Sequence, residues 1–411
     1  MLGREGLIMT PMVRSNICLN AHPQGCKQSV LDQIEYTKQQ KVKNDLKDGK
    51  HRAIKNVLVL GCSNGYGLAS RITAAFAYGA ATIGVSYEKA GSEKKFGTPG
   101  WYNNLAFDEA AKKEGLYSNT IDGDAFSDEI KAEIIKRAKE NNMKFDLVVY
   151  SLASPVRVDP ETKVMYKSVI KPIGQDYSGK TFDTMTGEMK EITATPATEE
   201  EIANTVKVMG GEDWERLMDQ LLKAEVLAPG CITVAYSYIG PELSQAIYRN
   251  GTIGMAKLDL EKRAGVIREK LQKIGGGAYV SVNKGLVTRA SAVIPIIPLY
   301  LSVLFKVMKK MGTHEGCIEQ INRLFAERLY IKNENGDAAI PTDEENRIRI
   351  DDLELDPKVQ EEVNKIMPTV TAENIKELGD VEGYRHDFLA TSGFDIPGVD
   401  YEKEIERFDV I

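Results

Sequence analysis

NVLVLGCSNGYGLASRITAAFAY, residues 56–78, decides the fold. Asn56–Leu60 is a short continuous apolar run, the pattern of a strand buried on both faces. Leu68–Tyr78 places apolar residues at helical spacing. Between them, Gly61, Gly65 and Gly67 let the backbone turn sharply and approach a ligand closely. A helix N-terminus there supplies amide N–H groups and the positive end of its dipole. A pyrophosphate needs that combination. The G-x-x-x-G-x-G spacing differs from the simplest dinucleotide fingerprint, and alone the loop reads as an ordinary tight turn. Its place between the first strand and first helix of an alternating series is what points to a nucleotide cofactor.

Working outward, a surface helix is expected over Ser29–Leu46, and further strands at Ala81–Ser86, Ser118–Ile121, Asp146–Ser151, Cys231–Tyr236 and Ala278–Asn283. A helix over Asn103–Glu114 fits the alternation, which predicts an α/β fold: a Rossmann-type doubly wound parallel sheet with right-handed crossovers. The chain reads as one decorated domain, 1–411, with a nucleotide-binding core at 56–155 and 230–330. An insertion, 156–229, carries a hairpin around Thr181–Ile192 and helices at Glu199–Met209 and Glu212–Ala224. Residues 331–411 are charged and read as a peripheral C-terminal extension.

The 411 residues carry a formal charge of −7, against a nucleic-acid binder, which needs a basic face. The most apolar run, Ala292–Val307, contains Pro295 and Pro298 and falls short of the ~20 residues a membrane span needs. The N-terminus lacks the order of a signal peptide, so a cytoplasmic location is expected; a monomer is the expected state. Five cysteines form no C-x-x-C pair. Cys18, His22 and Cys26 would share a helical face, but Pro23 and Gly25 argue against a helix there and no fourth ligand is near; no metal is expected.

Glu88 stands 21 positions after Gly67, just past the second strand. A carboxylate there accepts from adenosine ribose hydroxyls and repels a 2′-phosphate, favouring NADH; the plain alternative is a solvated loop glutamate. Asp124 in DGDAFS is placed by topology to bond an adenine amino group. Leu152 and Ala153, after the Asp146–Ser151 strand, are placed beside the ribose and nicotinamide.

Reduction of an unsaturated substrate needs a proton donor, and a tyrosine with a neighbouring lysine is one solution. No tyrosine here has a lysine at +4, which argues against an ordinary short-chain dehydrogenase. Tyr36/Lys43 and Tyr87/Lys94 lie in the wrong parts of the chain. Tyr300/Lys309 sits on an unbroken helix, where nine residues make about 2.5 turns and put one end inside and one outside. In Tyr248/Lys257 the helix is interrupted at Gly251 and Thr252, with Thr252 as a possible new N-cap. That pair follows the strand CITVAYS.

The stretch AYSYIGPELSQAIYRNGTIGMAKLDLE (235–261), with GCSNGYG, GTPGWYNN, DGDAFS, VYSLASP, KVMGGEDW, SVNKGLVTRASAVIP and GYRHDFL, resembles the FabV / trans-2-enoyl-CoA reductase family over nearly the whole chain. The resemblance implies Tyr248 as proton donor, Lys257 as the lysine contacting NADH, and Tyr238 as a substrate contact near the thioester. Read without it, Tyr238 is as well explained as a strand-end packing residue. The resemblance also implies a cofactor lining of Gly61, Cys62, Ser63, Asn64, Gly65, Tyr66, Tyr87, Glu88, Asp124, Ala125, Leu152, Ala153, Leu286, Val287 and Thr288.

The expected reaction is hydride addition from NADH to C3 of a trans-2-enoyl thioester, borne by CoA or by acyl carrier protein, with protonation at C2. Rivals are a carbonyl-reducing dehydrogenase and a non-catalytic NAD-sensing protein. Ala290–Met311 is expected to be either core or the wall of an acyl tunnel, and His314 and Glu315 to be cap or surface residues.

Overall fold

A computed structural model describes residues 7–14, 16–44, 53–92, 95–294, 297–330 and 340–405. Its main sheet is built from β1 (Asn56–Leu60), β2 (Ala81–Ser86), β3 (Ser118–Asp122), β4 (Phe145–Tyr150), β5 (Leu227–Ser237), β6 (Gly277–Val282) and β7 (Arg347–Arg349). Their order is β7-β6-β5-β4-β1-β2-β3, and every pairing is parallel. The order reverses between β1 and β4, which opens a crevice beyond their carboxyl ends.

The apolar run of β1 shows why both faces are covered. Val57 and Val59 enter one core with residues of the helices α1 (Pro23–Asn44), α2 (Gly65–Ile72) and α3 (Pro99–Lys113). Leu58 and Leu60 enter the opposite core with residues of α4 (Asp128–Glu140). The insertion carries α5 (Glu199–Met209) and α6 (Glu212–Lys223), then α7 (Glu242–Gln245) and α8 (Thr252–Leu271) follow β5. Strands Tyr177–Phe182 and Met189–Ala194 form the expected hairpin; a second, Val156–Val158 with Met165–Lys167, gives no strong sequence signal.

A separate apolar core gathers α9 (Ile297–Met311) with α11 (Pro357–Ile366), α12 (Ile375–Leu378) and α13 (Val381–Ala390); α10 (Cys317–Leu324) lies on the sheet side. Pro295 and Ile296 lie outside the described residues. Tyr300 is buried and Lys309 exposed in an ion pair with Asp380, as nine residues of unbroken helix predict.

Two expectations need correcting. The first helix begins at Pro23, not Ser29, while Leu46 lies outside the described residues. Proline at the helix start loses no needed N–H, and the His22 Nδ1 accepts from the Gly25 amide at 3.1 Å. Gly25 is there because a Cβ would sit 1.7 Å from the Gly393 carbonyl oxygen. The residues past 330 are also not merely peripheral, since β7 completes the sheet edge. Val359, Val363, Tyr384 and Phe388, spaced i,i+4 among charged neighbours, fill the second core.

Candidate active site

Each glycine of the loop after β1 has its own steric reason. Gly61 has φ +80°, and a Cβ there would lie 2.1 Å from the Ser151 carbonyl oxygen. Gly65 has φ +52°, and a Cβ on Gly67 would lie 2.0 Å from the Gly61 oxygen. The loop is therefore pressed against the end of β4 with no room for a side chain at Gly61 or Gly67, while Gly65 is held to glycine by its backbone angle. Asn64, the N-cap of α2, gives no side-chain cap bond; its Oδ1 accepts from Asn103 at 3.1 Å instead. The first-turn amides of α2 are left for an anion.

Glu88 faces this loop. Its carboxylate accepts from the Ser63 hydroxyl at 2.6 Å and from the hydroxyl of Thr98, the N-cap of α3. Gly100 lies so close that a Cβ would approach Glu88 Oε1 to 2.0 Å. With the Asn64 amide also donating to Oε1 at 3.4 Å, the carboxylate still has acceptor capacity for ribose hydroxyls. Tyr87 beside it is 81% exposed, a ring free to cover a ligand.

The remaining lining residues stand at the carboxyl ends of neighbouring strands. Asp124 after β3 closes a turn, its Oδ1 accepting from the Phe126 amide at 3.0 Å. Buried Ala125 has its carbonyl fixed by Lys131, whose ammonium also pairs with buried Asp213 at 2.8 Å. Leu152 and Ala153 follow β4, and Leu152 packs over Gly61. Leu286 and Val287 are buried after β6, while the Thr288 methyl comes within 3.5 Å of the Cβ position on Gly65. The loops after β1 and β6 thus meet. Two side chains of the glycine loop point elsewhere. Cys62 is buried near Arg71, and the Tyr66 hydroxyl sits 2.7 Å from the Lys284 carbonyl.

At the end of β5 the two expected tyrosines come together, Tyr238 and Tyr248 packing edge to face with ring centroids 5.0 Å apart. The helix break between Tyr248 and Lys257 exists, but its cap is Gly251, not Thr252. The reason is crowding: a Cβ on Gly251 would lie 2.4 Å from the Ile247 carbonyl oxygen. Thr252 is spent on the insertion, its hydroxyl donating to Val169 O and accepting from Lys171 N. Lys257 donates to the Tyr236 carbonyl at 3.0 Å, which points its ammonium at the same strand end. Desolvation pulls the Lys257 pKa down to about 8, opposed by Glu261. Burial pushes the Tyr248 hydroxyl above its ordinary range, so it stays a proton carrier.

The hydroxyls of the two tyrosines differ. Tyr238 donates to Glu354 at 3.0 Å, whereas Tyr248 has no hydrogen-bond partner for its hydroxyl among the described residues. Glu354 has no sequence signal: it sits in a charged loop 116 positions away. His314 is half-buried against Phe305, not on the surface, and desolvation drops its pKa to about 3. Glu315 makes a two-pronged pair with Arg323.

Residues 95–330 match the family described as the trans-2-enoyl-CoA reductase catalytic region, and residues 8–93 the NAD(P)H binding domain of trans-2-enoyl-CoA reductase. The chain belongs to the trans-2-enoyl-CoA reductase family. It is 68% identical over 405 residues to a trans-2-enoyl-CoA reductase [NADH] from Treponema denticola, covering 98% of this chain and 100% of that one. It is 53% identical over 401 residues to an enoyl-[acyl-carrier-protein] reductase [NADH] from Cytophaga hutchinsonii, covering 98% of each. The crystal structure of the Treponema denticola enzyme in complex with NAD superposes with a TM-score of 0.93 at 66% identity, covering 98% of this chain and 99% of that one. Residues 342–405 match a third family description, an enoyl reductase FAD binding domain. They do not fit a flavin by the same physical test. Their one strand, β7, is followed by no glycine turn, and their apolar side chains are spent on the second core.

Proposed function

We propose that this chain reduces a trans-2-enoyl thioester to the saturated acyl thioester with NADH. The carrying observation is the pair of tyrosines at the end of β5: the Tyr238 hydroxyl is spent on Glu354, while that of Tyr248, packed against it, has no hydrogen-bond partner among the described residues. The residues fit the cofactor: the α2 amides for the pyrophosphate, Glu88 for the adenosine ribose, and Leu152, Ala153 and Leu286–Thr288 for the nicotinamide half.

When bound, NADH supplies a hydride to C3 of the substrate. Tyr248 would protonate the thioester oxygen as electron density moves there from the C2–C3 double bond, and would take that proton back as C2 gains one from water, so that one hydride and one proton are added in all. Tyr238 packs against the Tyr248 ring and fixes its direction. Lys257, with one N–H on the Tyr236 carbonyl, has two more for ribose hydroxyls, and its charge favours electron density on the oxygen. A carbonyl reductase would want the proton at the carbinol oxygen, and no Tyr–Lys pair at +4 spacing offers it.

We read the chain as one decorated domain acting as a cytoplasmic monomer, on CoA or carrier-protein thioesters. No described helix is long and apolar enough to cross a membrane. The test is NADH oxidation by the purified chain with crotonyl-CoA and with acetoacetyl-CoA. Oxidation with crotonyl-CoA, giving butyryl-CoA, is expected; oxidation with acetoacetyl-CoA alone would overturn the reading. Comparing kcat/KM for crotonyl-CoA, dodecenoyl-CoA and a carrier-protein substrate assigns the carrier.

A further inference from the structure

Glu354 is fully buried and belongs to neither the glycine loop nor the tyrosine helix. Its Oε1 accepts from Tyr238 at 3.0 Å and from Tyr300 at 2.7 Å, and its Oε2 accepts from the Gly285 amide at 2.6 Å. Gly285 opens the loop to Leu286–Thr288, and a Cβ on it would lie 3.1 Å from the Tyr238 hydroxyl. One carboxyl group thereby ties the substrate-side tyrosine to the loop that reaches the glycine turn. Lys284 adds a buried cation beside it, seated over the Phe305 ring and donating to the Gly285 carbonyl at 3.2 Å.

A buried carboxyl is expensive unless its bonds are made, and this one makes three with Lys284 as its counter-charge. Its bond to Tyr238 has a directional effect. A phenol has one hydrogen, and here it is given to Glu354. The Tyr238 ring is fixed at one end by that bond and at the other by its edge-to-face contact with Tyr248.

We propose that Glu354 is a positioning residue for the reduction, acting through Tyr238; the proposal rests on the enoyl-thioester reading above. It sets the Tyr238 ring against Tyr248 and couples that contact to the cofactor-side loop.

The experiment is a double-mutant cycle in the full chain with crotonyl-CoA and NADH, pairing Glu354→Gln with Tyr238→Phe. Glu354→Gln alone is expected to lower kcat roughly tenfold, and in the Tyr238→Phe background to cost less than about threefold, because the hydroxyl it acts on is gone. Tyr300→Phe removes an equally buried bond to the same carboxyl and is the structural control, expected to keep kcat within about twofold. Glu354→Asp, which withdraws the carboxylate by one methylene, is the second variant if the glutamine form does not fold, and is read in the same cycle. Equal losses in both backgrounds, wild-type turnover of Glu354→Gln, or a Tyr300→Phe as damaged as Glu354→Gln would each overturn the proposal. A wild-type chain that oxidises no NADH with crotonyl-CoA would overturn the reductase reading itself, and this proposal with it. Equal losses where the wild-type chain does oxidise NADH would overturn this proposal alone.

Discussion

The Ser63 hydroxyl donates to the Glu88 carboxylate at 2.6 Å, so the glycine loop and the end of the second strand share one acceptor. A fixed negative charge beside the ribose position disfavours a 2′-phosphate by Coulomb repulsion in a partly desolvated place. Glu88→Gln should raise the ratio of kcat/KM for NADPH over NADH by about tenfold or more, the equivalent of ~1.4 kcal/mol. An unchanged ratio removes Glu88 from cofactor selection.

Tyr248→Phe deletes a hydroxyl that bonds nothing among the described residues. Turnover should fall by about 10²–10⁴-fold, the usual worth of a positioned proton donor, while the melting temperature stays near wild type. A large drop in melting temperature with little change in kcat would reverse the assignment.

Lys257 gives a pH signature. Its pKa is lowered to about 8 by desolvation, so its charge is present below that pH and lost as pH rises through it. kcat/KM should therefore decline on the alkaline side near pH 8. Lys257→Arg, which keeps its charge, should move that decline upward. The sign for stability is opposite. Between about pH 8 and the ordinary lysine pKa of about 10.4, the unfolded chain binds the extra proton, so this group's contribution to folding stability rises with pH. An alkaline limb that stays put in Lys257→Arg belongs to another group, and Lys284, also lowered to about 8 by burial, is the next to test.

Two glycines should respond in opposite directions to alanine. Gly61→Ala would drive a Cβ to 2.1 Å from the Ser151 oxygen at φ +80°, and should cost about 1–3 kcal/mol and most of the NADH affinity. Gly265, inside α8, has nothing within 4 Å of its Cβ position. Gly265→Ala should stabilise by roughly 0.5–1 kcal/mol with kcat unchanged. Thermal melts and NADH titrations of both variants check this; a destabilised Gly265→Ala would show that the helix there is not as open as the geometry says.

What could be read in the sequence follows from how local the forces are. The buried runs of β1 and β4 and the glycine turn between strand and helix are set by neighbours in the chain, and these are legible in the sequence. The start of the first helix was not, because Gly25 answers to Gly393, a contact nearly the whole chain away. Thr252 has the chemistry of a cap, yet Gly251 takes that place because two carbonyls crowd it and the insertion claims the threonine hydroxyl. Glu354 lies in DDLELDP, which reads as solvated loop; only the assembled second core reveals it as buried.

The contact between Glu354 and Tyr238 also sets a schedule for synthesis. A ribosome that has made the glycine loop, both tyrosines and Lys257 has still to make the chain from 258 to Glu354, the partner 116 positions beyond Tyr238, including the sheet's edge strand β7. Nascent chains stopped between Thr288 and Glu354 carry the cofactor-lining residues without that carboxyl. The substrate-side tyrosine is thus anchored long after it is made, and a chain cut short just before Glu354 would hold the cofactor side of the site without that support.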